Sequence, residues 1–261
     1  HQGAGHDIED RSLRALTKGG RLVTCGATTG ADVTINLRLI FFKLLSILLC
    51  YPDDEIIEHR DAVAEAAHEL PSSPAKDAVL AFLDYWQNEP ATRLQAAYAE
   101  GFDFKRRGCL YLSYYRHGDS RARGQVLADM KAAYSRADYP LDTTELPDYL
   151  PLLLEFASEV PEAGLPMLTG NRAAIEVIRR SLLHDRSPHA HLVEALIFFL
   201  PAIDEATVAE MRKLIVQGPP QESVGLEPYT ADAPAGSPFD NEGSLSNVAP
   251  VSNVVFHGRK R

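Results

Sequence analysis

Phe102-Asp-Phe-Lys-Arg-Arg-Gly-Cys-Leu-Tyr-Leu-Ser-Tyr-Tyr-Arg-His-Gly-Asp-Ser-Arg121 is the stretch that decides the fold of this chain. It combines aromatic and basic side chains with signals that end one helix and start another. Asp103 is typical of a helix N-cap, because its carboxylate can accept hydrogen bonds from first-turn amides. Gly118 follows two basic residues and is typical of a helix C-terminus, and Asp119 or Ser120 can cap the next helix. The stretch therefore predicts two consecutive helices joined by a tight turn.

Two neighbouring faces of the first predicted helix are aromatic or apolar, because their residues recur at helical spacing. These faces consist of Phe104, Tyr111 and Tyr115, and of Arg107, Leu110 and Tyr114. Rings in this arrangement are typical of a buried core. Their mixture with lysine and arginine also suits a surface that binds a peptide, since tyrosine and arginine are enriched at protein interfaces. Both interpretations, core and peptide-binding surface, are consistent with the pattern.

The composition is that of a soluble globular protein, with 261 residues of which 45% are hydrophobic and 24% charged. A net charge of −10 argues against nucleic-acid binding, which needs a basic face. The longest apolar run, residues 37–51, is interrupted by Arg38 and Lys43 and is too short for a membrane span. No secretory signal pattern is present. We therefore expect a cytoplasmic protein with no nucleic-acid partner and no direct insertion into a membrane.

Three parts of the chain differ in pattern. Residues 1–40 contain Gly/Thr-rich turns and short alternating runs, such as residues 33–37, which are typical of loops and strands. Residues 41–217 show helical periodicity and predict one all-α helical-bundle domain of roughly seven to nine helices with short connections. Residues 218–261 are rich in Pro, Gly, Ser and Asn and lack periodic apolar residues. We expect this last part to be a disordered tail.

Candidate catalytic and metal-binding residues are few. His184, His189 and His191 lie close together in the sequence, but their spacing matches no standard metal-ligand pattern. Cys109 could act as a nucleophile, although a buried structural cysteine is the commoner case. The three cysteines of the chain form no CxxC pair, which fits a reducing compartment. The sequence therefore predicts no enzyme, no metal site and no stably bound cofactor.

Ser12-Leu-Arg-Ala-Leu-Thr-Lys-Gly-Gly-Arg-Leu-Val-Thr-Cys-Gly-Ala-Thr-Thr-Gly30 and Leu37-Arg-Leu-Ile-Phe-Phe-Lys43 carry a first resemblance. Residues 12–48 resemble the last part of the nucleotide-binding domain of medium-chain alcohol dehydrogenases and quinone reductases. The glycine-rich phosphate loop of that family is absent here. The resemblance implies that residues 1–40 are a poorly folded dehydrogenase-like remnant. A fragment of an NAD(P)-dependent oxidoreductase is a less favoured alternative for the function.

Five motifs carry a second resemblance, in the same order along residues 42–230. They are Leu44-Leu-Ser-Ile-Leu-Leu-Cys-Tyr-Pro-Asp53, Phe102-Asp-Phe-Lys-Arg-Arg107, Leu110-Tyr-Leu-Ser-Tyr-Tyr-Arg-His-Gly-Asp-Ser-Arg121, Glu145-Leu-Pro-Asp-Tyr-Leu150 and Leu153-Leu-Glu-Phe156. Together they resemble the nitrate reductase molybdenum cofactor assembly chaperones of the NarJ type, within the broader TorD/DmsD-like redox enzyme maturation chaperones. Residues 222–229 also resemble the tails of some members.

This resemblance implies a system-specific chaperone. It would bind the N-terminal segment of the apo catalytic (alpha) subunit of respiratory nitrate reductase. It would keep that subunit competent for insertion of bis-molybdopterin guanine dinucleotide before the subunit docks at the membrane. The residues that we expect to contact the peptide are Phe104, Arg107, Tyr111, Tyr114, Tyr115, His117, Asp119, Arg121, Glu145, Pro147, Asp148 and Tyr149.

One of these residues departs from the pattern of the broader family. Tyr149 stands where that family usually has histidine after the Pro-Asp pair. Tyrosine keeps a hydrogen-bonding tip and an aromatic face, but it does not titrate near neutral pH. A role in peptide contact is compatible with this change, whereas a role that needs a charged imidazole is not.

Two further functions remain open on the sequence. The first is a chaperone of another molybdoenzyme that recognises a twin-arginine signal peptide. The second is a generic helical scaffold, which would be favoured if substitutions at Tyr115 and Asp148 left client binding unchanged.

Overall fold

The computed structural model describes residues 36–141 and 144–218, and every regular element in these residues is helical. Twelve α-helices are present in this part of the chain, together with one π-helical turn, Ala99–Asp103. The helices are α1 (Leu37–Leu48), α2 (Asp54–Glu58), α3 (Arg60–His68), α4 (Pro74–Asn88), α5 (Ala91–Tyr98), α6 (Leu112–His117), α7 (Arg121–Arg136), α8 (Leu150–Glu159), α9 (Pro161–Gly170), α10 (Arg172–His184), α11 (Ala190–Phe198) and α12 (Glu205–Gln217). The predicted all-α class is confirmed for these residues.

Short polar caps explain where several helices begin. Asp53 accepts a hydrogen bond from the amide of Ile56 at 2.9 Å and caps α2. The Ser73 hydroxyl accepts one from the amide of Lys76 at 3.1 Å, and proline occupies the first turn of α4. In each case a side-chain oxygen satisfies a first-turn amide that has no partner within the helix. These local signals can be read directly from the sequence.

The number of helices exceeds the predicted seven to nine in part because the structure divides two stretches of the chain into shorter helices. His59 separates α2 from α3, and Val160 separates α8 from α9. Pro161 then opens α9, where its missing amide hydrogen costs nothing. The first helix also begins earlier than the predicted boundary at residue 41. Asn36 and Leu37, which the alternating pattern placed in a strand, are the N-cap and first residue of α1.

The predicted first helix of the 102–121 stretch is wrong. Asp103 is the last residue of the π-helical turn and does not cap a helix, and residues 104–110 are not helical. A β-carbon on Gly108 would lie 1.9 Å from the carbonyl oxygen of Gly101, so the chain folds back closely on itself here. Helix α6 starts only at Leu112, which means that the Phe104 and Tyr115 rings do not share a helical face.

The end of this stretch follows the prediction. Gly118 has a φ of +56°, a conformation that favours glycine, and it terminates α6. Ser120 occupies the N-cap position of α7 without a side-chain capping hydrogen bond. The turn between the two helices therefore lies where the sequence places it.

The core is centred on the packing of α1 against α8, with α9 also packed against α8 and α11 packed against α4. Phe41, Phe42 and Phe156 are buried in it, and the Phe41 ring lies 4.8 Å from the ring of Phe199. Burial of large apolar side chains of this kind is the main stabilising contribution to the fold. In the described part of the chain, no helix has the length and apolar character needed to cross a membrane. The predicted N-terminal remnant and C-terminal tail lie almost entirely outside the described residues.

Candidate functional site

Two segments that are about 35 residues apart in the sequence are joined in the structure by a short backbone ladder. The amide of Leu112 donates to the carbonyl of Asp148 at 3.0 Å, and the amide of Leu150 donates to the carbonyl of Leu110 at 2.9 Å. Tyr111 and Tyr149 face each other in an antiparallel bridge, with ring centroids 5.3 Å apart. The start of α6 is thus fixed to the start of α8.

Asp148 is the centre of a buried polar network beneath this ladder. One of its carboxylate oxygens accepts hydrogen bonds from the Ser113 amide at 3.0 Å and from the Ser113 hydroxyl at 2.5 Å. The same oxygen lies 3.3 Å from the Arg123 guanidinium, which also donates to the Ser113 hydroxyl at 3.1 Å. We call Asp148, Ser113 and Arg123 the Asp148 network. Its charge-assisted bonds connect α6 and α7 to the segment that precedes α8.

Tyr149 has a defined hydrogen-bond partner. Its hydroxyl lies 2.8 Å from the hydroxyl of Tyr98, which donates to the carbonyl of Leu49 at 3.2 Å. Burial raises the pKa of Tyr149 well above its ordinary value, so this group stays neutral. Tyr98 completes the chain of hydrogen bonds to α1. The sequence did not single out Tyr98, because one tyrosine on an apolar helical face gives no separate signal.

Other residues that were predicted to contact the peptide form hydrogen bonds around the backbone ladder. The Tyr111 hydroxyl donates to Glu145 at 2.8 Å, and the carbonyl of Pro147 accepts from the buried Tyr134 hydroxyl at 3.1 Å. Tyr115 is also buried and donates to the carbonyl of Cys109 at 2.9 Å. In this conformation these groups support the ladder and contribute little exposed surface.

The remaining predicted residues form two groups, one near the Asp148 network and one in the loop before α6. Tyr114 is half-buried, with its ring centroid 5.8 Å from the Arg123 guanidinium carbon, and Asp119 is exposed with its carboxylate 3.7 Å from Arg123. Arg121 is exposed at the start of α7. Phe104 and Arg107 belong to the separate loop before α6, where the Arg107 guanidinium donates to the carbonyl of Ile215 at 2.9 Å.

A cleft of about 160 Å³ opens beside the Asp148 network, between α6, α7 and α9. Its apolar floor and polar rim are formed by Val126, Met130, Met167, Ser113, Arg116, His117, Gly170 and Asn171. We call it the α6–α9 cleft. Arg116 is held at the rim by a forked ion pair with Glu210 of α12. Among the predicted residues only His117 lines this cleft. The apolar floor was missed, because its residues come from two helices that only the tertiary fold brings together.

The candidate metal and nucleophile positions have ordinary structural surroundings. No group of three potential ligands that could hold a metal ion occurs in residues 36–141 and 144–218. His189 is buried against the rings of Phe82 and Phe102, at 5.1 and 5.0 Å, and burial lowers its pKa to about 4. Burial likewise raises the pKa of the Cys109 thiol, which disfavours the reactive thiolate.

Comparison with known proteins gives two informative relatives. The nitrate reductase-like protein NarX of Mycobacterium tuberculosis is 30% identical over 165 residues, which are 60% of this chain and 24% of NarX. The chain thus spans about a quarter of the length of that relative. The nitrate reductase molybdenum cofactor assembly chaperone NarJ of Escherichia coli is 34% identical over 176 residues, which are 66% of this chain and 75% of NarJ. The chain belongs to the NarJ family.

Two further matches concern part of the sequence and the fold. The family model described as nitrate reductase delta subunit matches residues 68–192. The crystal structure of a protein from Archaeoglobus fulgidus, described as a redox enzyme maturation protein, superimposes with a TM-score of 0.50 and 19% identity. It covers 66% of this chain and 98% of that protein, and it supports the fold alone. NarJ is named as an assembly chaperone, in agreement with the predicted absence of enzymatic activity. The resemblance of residues 12–48 to dehydrogenases receives no support from these matches.

Proposed function

We propose that the chain binds the N-terminal segment of the apo catalytic (alpha) subunit of respiratory nitrate reductase. Binding keeps this subunit competent for insertion of bis-molybdopterin guanine dinucleotide until the subunit docks at the membrane. Membership of the NarJ family supports the class of client, because the Escherichia coli relative is named for molybdenum cofactor assembly in nitrate reductase. The cofactor is inserted into the catalytic subunit, so this function needs no cofactor-binding site in the chaperone.

The α6–α9 cleft is the part of the described structure best suited to hold an anchoring side chain of the client. Its volume of about 160 Å³ is smaller than a typical small-molecule site and fits one large apolar side chain. Met130 and Met167 give the floor an adaptable apolar surface, since methionine fills irregular spaces with little strain. At the rim, Asn171 and the N–H groups of Arg116 that its ion pair with Glu210 does not use can bind backbone groups of a peptide. An apolar floor with a polar rim is the usual arrangement of a peptide-binding groove.

One observation carries this proposal: Ser113 belongs both to the Asp148 network and to the wall of the cleft. Asp148 binds the amide and the hydroxyl of Ser113, which fixes the first turn of α6. The same helix places Arg116 and His117 at the rim of the cleft. In this proposal the polar groups of the two motifs position α6 and, through it, the rim of the cleft. In this proposal Asp148 and Tyr149 act through α6 and do not contact the client directly.

Calorimetry with the full chain tests the proposal. The ligand is a synthetic peptide that copies about the first 15 residues of the nitrate reductase catalytic subunit, a length that suits a helix laid in a groove. We expect one-to-one binding, and we expect Met167→Glu to weaken it by about tenfold or more, because a carboxylate would be desolvated on the floor. Met167→Leu is the matched control and retains the affinity. Equal affinity of the Met167→Glu variant would exclude the cleft as the binding site.

A competition experiment distinguishes the nitrate reductase subunit from another molybdoenzyme as the client. A peptide that carries a twin-arginine signal from another molybdoenzyme is added to the complex with the nitrate reductase peptide. Under the proposal it displaces the nitrate reductase peptide only at large excess. Displacement at equal concentration would assign the chain to a different molybdoenzyme. Failure of both peptides to bind would favour the generic scaffold.

A further inference from the structure

The loop before α6 presents an unusual exposed surface. Phe104 is 81% exposed and is followed by three basic residues. Its backbone is nevertheless held in place, because the Phe104 amide donates to the carbonyl of Ala99 at 3.0 Å and the Gly108 amide donates to the carbonyl of Lys105 at 2.9 Å. The close approach of Gly108 to the π-helical turn fixes the loop further. The phenyl ring is thus exposed on a rigid support.

Two side-chain contacts connect this loop to neighbouring helices. Lys105 forms an ion pair of 2.7 Å with Asp185, just after α10. The Arg107 guanidinium binds the carbonyl of Ile215 in α12, and the next residue, Val216, is 83% exposed. The loop and the end of α12 are therefore adjacent, and their exposed side chains are basic and apolar. We call Phe104, Arg106, Arg107 and Val216 the Phe104 surface.

We propose that residues 222–229 of this same chain dock on the Phe104 surface. This segment reads Glu222-Ser-Val-Gly-Leu-Glu-Pro-Tyr229, and its chemistry is complementary to that surface. Glu222 and Glu227 oppose the guanidinium groups of the loop, and Leu226 and Tyr229 cover the exposed ring and the valine. Between residues 219 and 258 the chain has five acidic residues and no lysine or arginine. A segment of this charge is attracted to a basic surface on a chain with a net charge of −10.

Helix α12 ends close enough to the Phe104 surface for residues 222–229 to reach it. Arg107 already binds the last turn of this helix, and Gly218 ends it with a φ of +69°. Glu222 lies four residues beyond Gly218, and an extended chain spans about 13 Å over that distance. Because surface and segment belong to one chain, their effective concentration is in the millimolar range, so a weak contact suffices for docking. Because the backbone of the Phe104 loop is already held in place, docking costs less conformational entropy. Docking covers a large exposed aromatic side chain next to the client-binding helices.

Hydrogen exchange of the full chain, followed by mass spectrometry, tests this inference. We expect amides in residues 222–229 to exchange about fivefold or more slowly than in an unstructured peptide, which corresponds to a docked population of about four-fifths. Phe104→Ala and the double variant Arg106→Glu/Arg107→Glu should raise exchange to the unstructured rate. The variant Glu222→Arg/Glu227→Arg should do the same. Combining the two charge reversals should restore most of the protection.

Three results would overturn the inference. The first is exchange of residues 222–229 at the unstructured rate in the unmodified chain. The second is protection that Phe104→Ala and the loop charge reversal both leave unchanged. The third is protection that rises with protein concentration, which would place the segment on a second copy of the chain. Loss of the contact between Arg107 and α12 could by itself speed exchange in the segment that follows α12. The Phe104→Ala variant excludes this cause, because it leaves that contact intact.

Discussion

The two halves of the 102–121 stretch have similar compositions and opposite environments. Residues 111–117 carry tyrosines beside arginine and form the ladder with the start of α8, where the hydroxyls of the buried Ser113 and Tyr115 are paired. Residues 104–107 carry phenylalanine beside lysine and arginine and stay exposed on a fixed loop. An aromatic and basic composition thus does not distinguish a supporting structure from a contact surface. The distinction depends on whether other parts of the chain bury the aromatic and polar groups.

The largest expected effect concerns the buried half. Asp148→Ala removes the acceptor for Ser113 and leaves the Arg123 guanidinium, whose side chain is 15% exposed, without its buried partner. We expect a loss of about 3–5 kcal/mol in the free energy of unfolding, since breaking a buried pair leaves an uncompensated charge. Urea denaturation measures this loss. The matched control is Asp119→Ala, which removes the exposed carboxylate near Arg123 and should cost about 0.5 kcal/mol or less. Equal costs for the two variants would contradict the assignment of Asp148 as the centre of the network.

A second test uses His189, whose ring packs against Phe102 at the buried start of the stretch. Burial lowers its pKa to about 4, whereas the unfolded chain titrates near 6.5. Between these pH values the unfolded state binds a proton that the folded state excludes, so stability falls as the pH falls. We expect His189 to account for a loss of about 2 kcal/mol between pH 7.5 and pH 5. Urea denaturation of the His189→Gln variant at both pH values should show a pH dependence smaller by that amount. An unchanged pH dependence would show that His189 is not the source of the loss of stability at low pH.

A smaller effect is expected at Tyr149. Tyr149→Phe removes the hydrogen bond to Tyr98 but keeps the ring in the bridge with Tyr111. Because the Tyr98 hydroxyl keeps its bond to the Leu49 carbonyl, we expect a cost of about 1 kcal/mol in the free energy of unfolding. Thermal or urea denaturation measures it. Tyr51→Phe, at an exposed ring that packs on Tyr98, serves as the control and should be nearly neutral. A cost above about 3 kcal/mol would mean that Tyr149 has a further buried polar role.

The smallest effect is expected in the exposed half. Phe104→Ala should change the free energy of unfolding by about 0.5 kcal/mol or less, because the ring is largely in water. Phe102→Ala, two residues earlier, should cost about 3–5 kcal/mol, because that ring is 4% exposed and packs on Tyr98 and His189. Denaturation of the two variants under the same conditions gives the contrast directly. Similar costs at both positions would show that the two halves do not differ as the structure indicates.

Local signals predicted the helical class and several helix ends. The glycine at 118 and the caps before α2 and α4 act through backbone groups a few residues away, so the sequence contains the whole interaction. The prediction failed at Asp103, where a good capping residue lies in a π-helical turn. The close approach of Gly101 and Gly108 decides that geometry, and it depends on contacts that helical periodicity does not include.

The sequence by itself determined that this chain is helical, that it belongs with the NarJ-type chaperones and that residues 102–121 and 145–149 are its distinctive motifs. Only the tertiary structure decided which side chains of those motifs are buried. It paired Ser113 with Asp148, linked Tyr149 to Tyr98 and left Phe104 in solvent. The physical reason is that capping and periodicity are local, whereas the cost of burying a carboxylate or a ring depends on groups brought from distant parts of the chain.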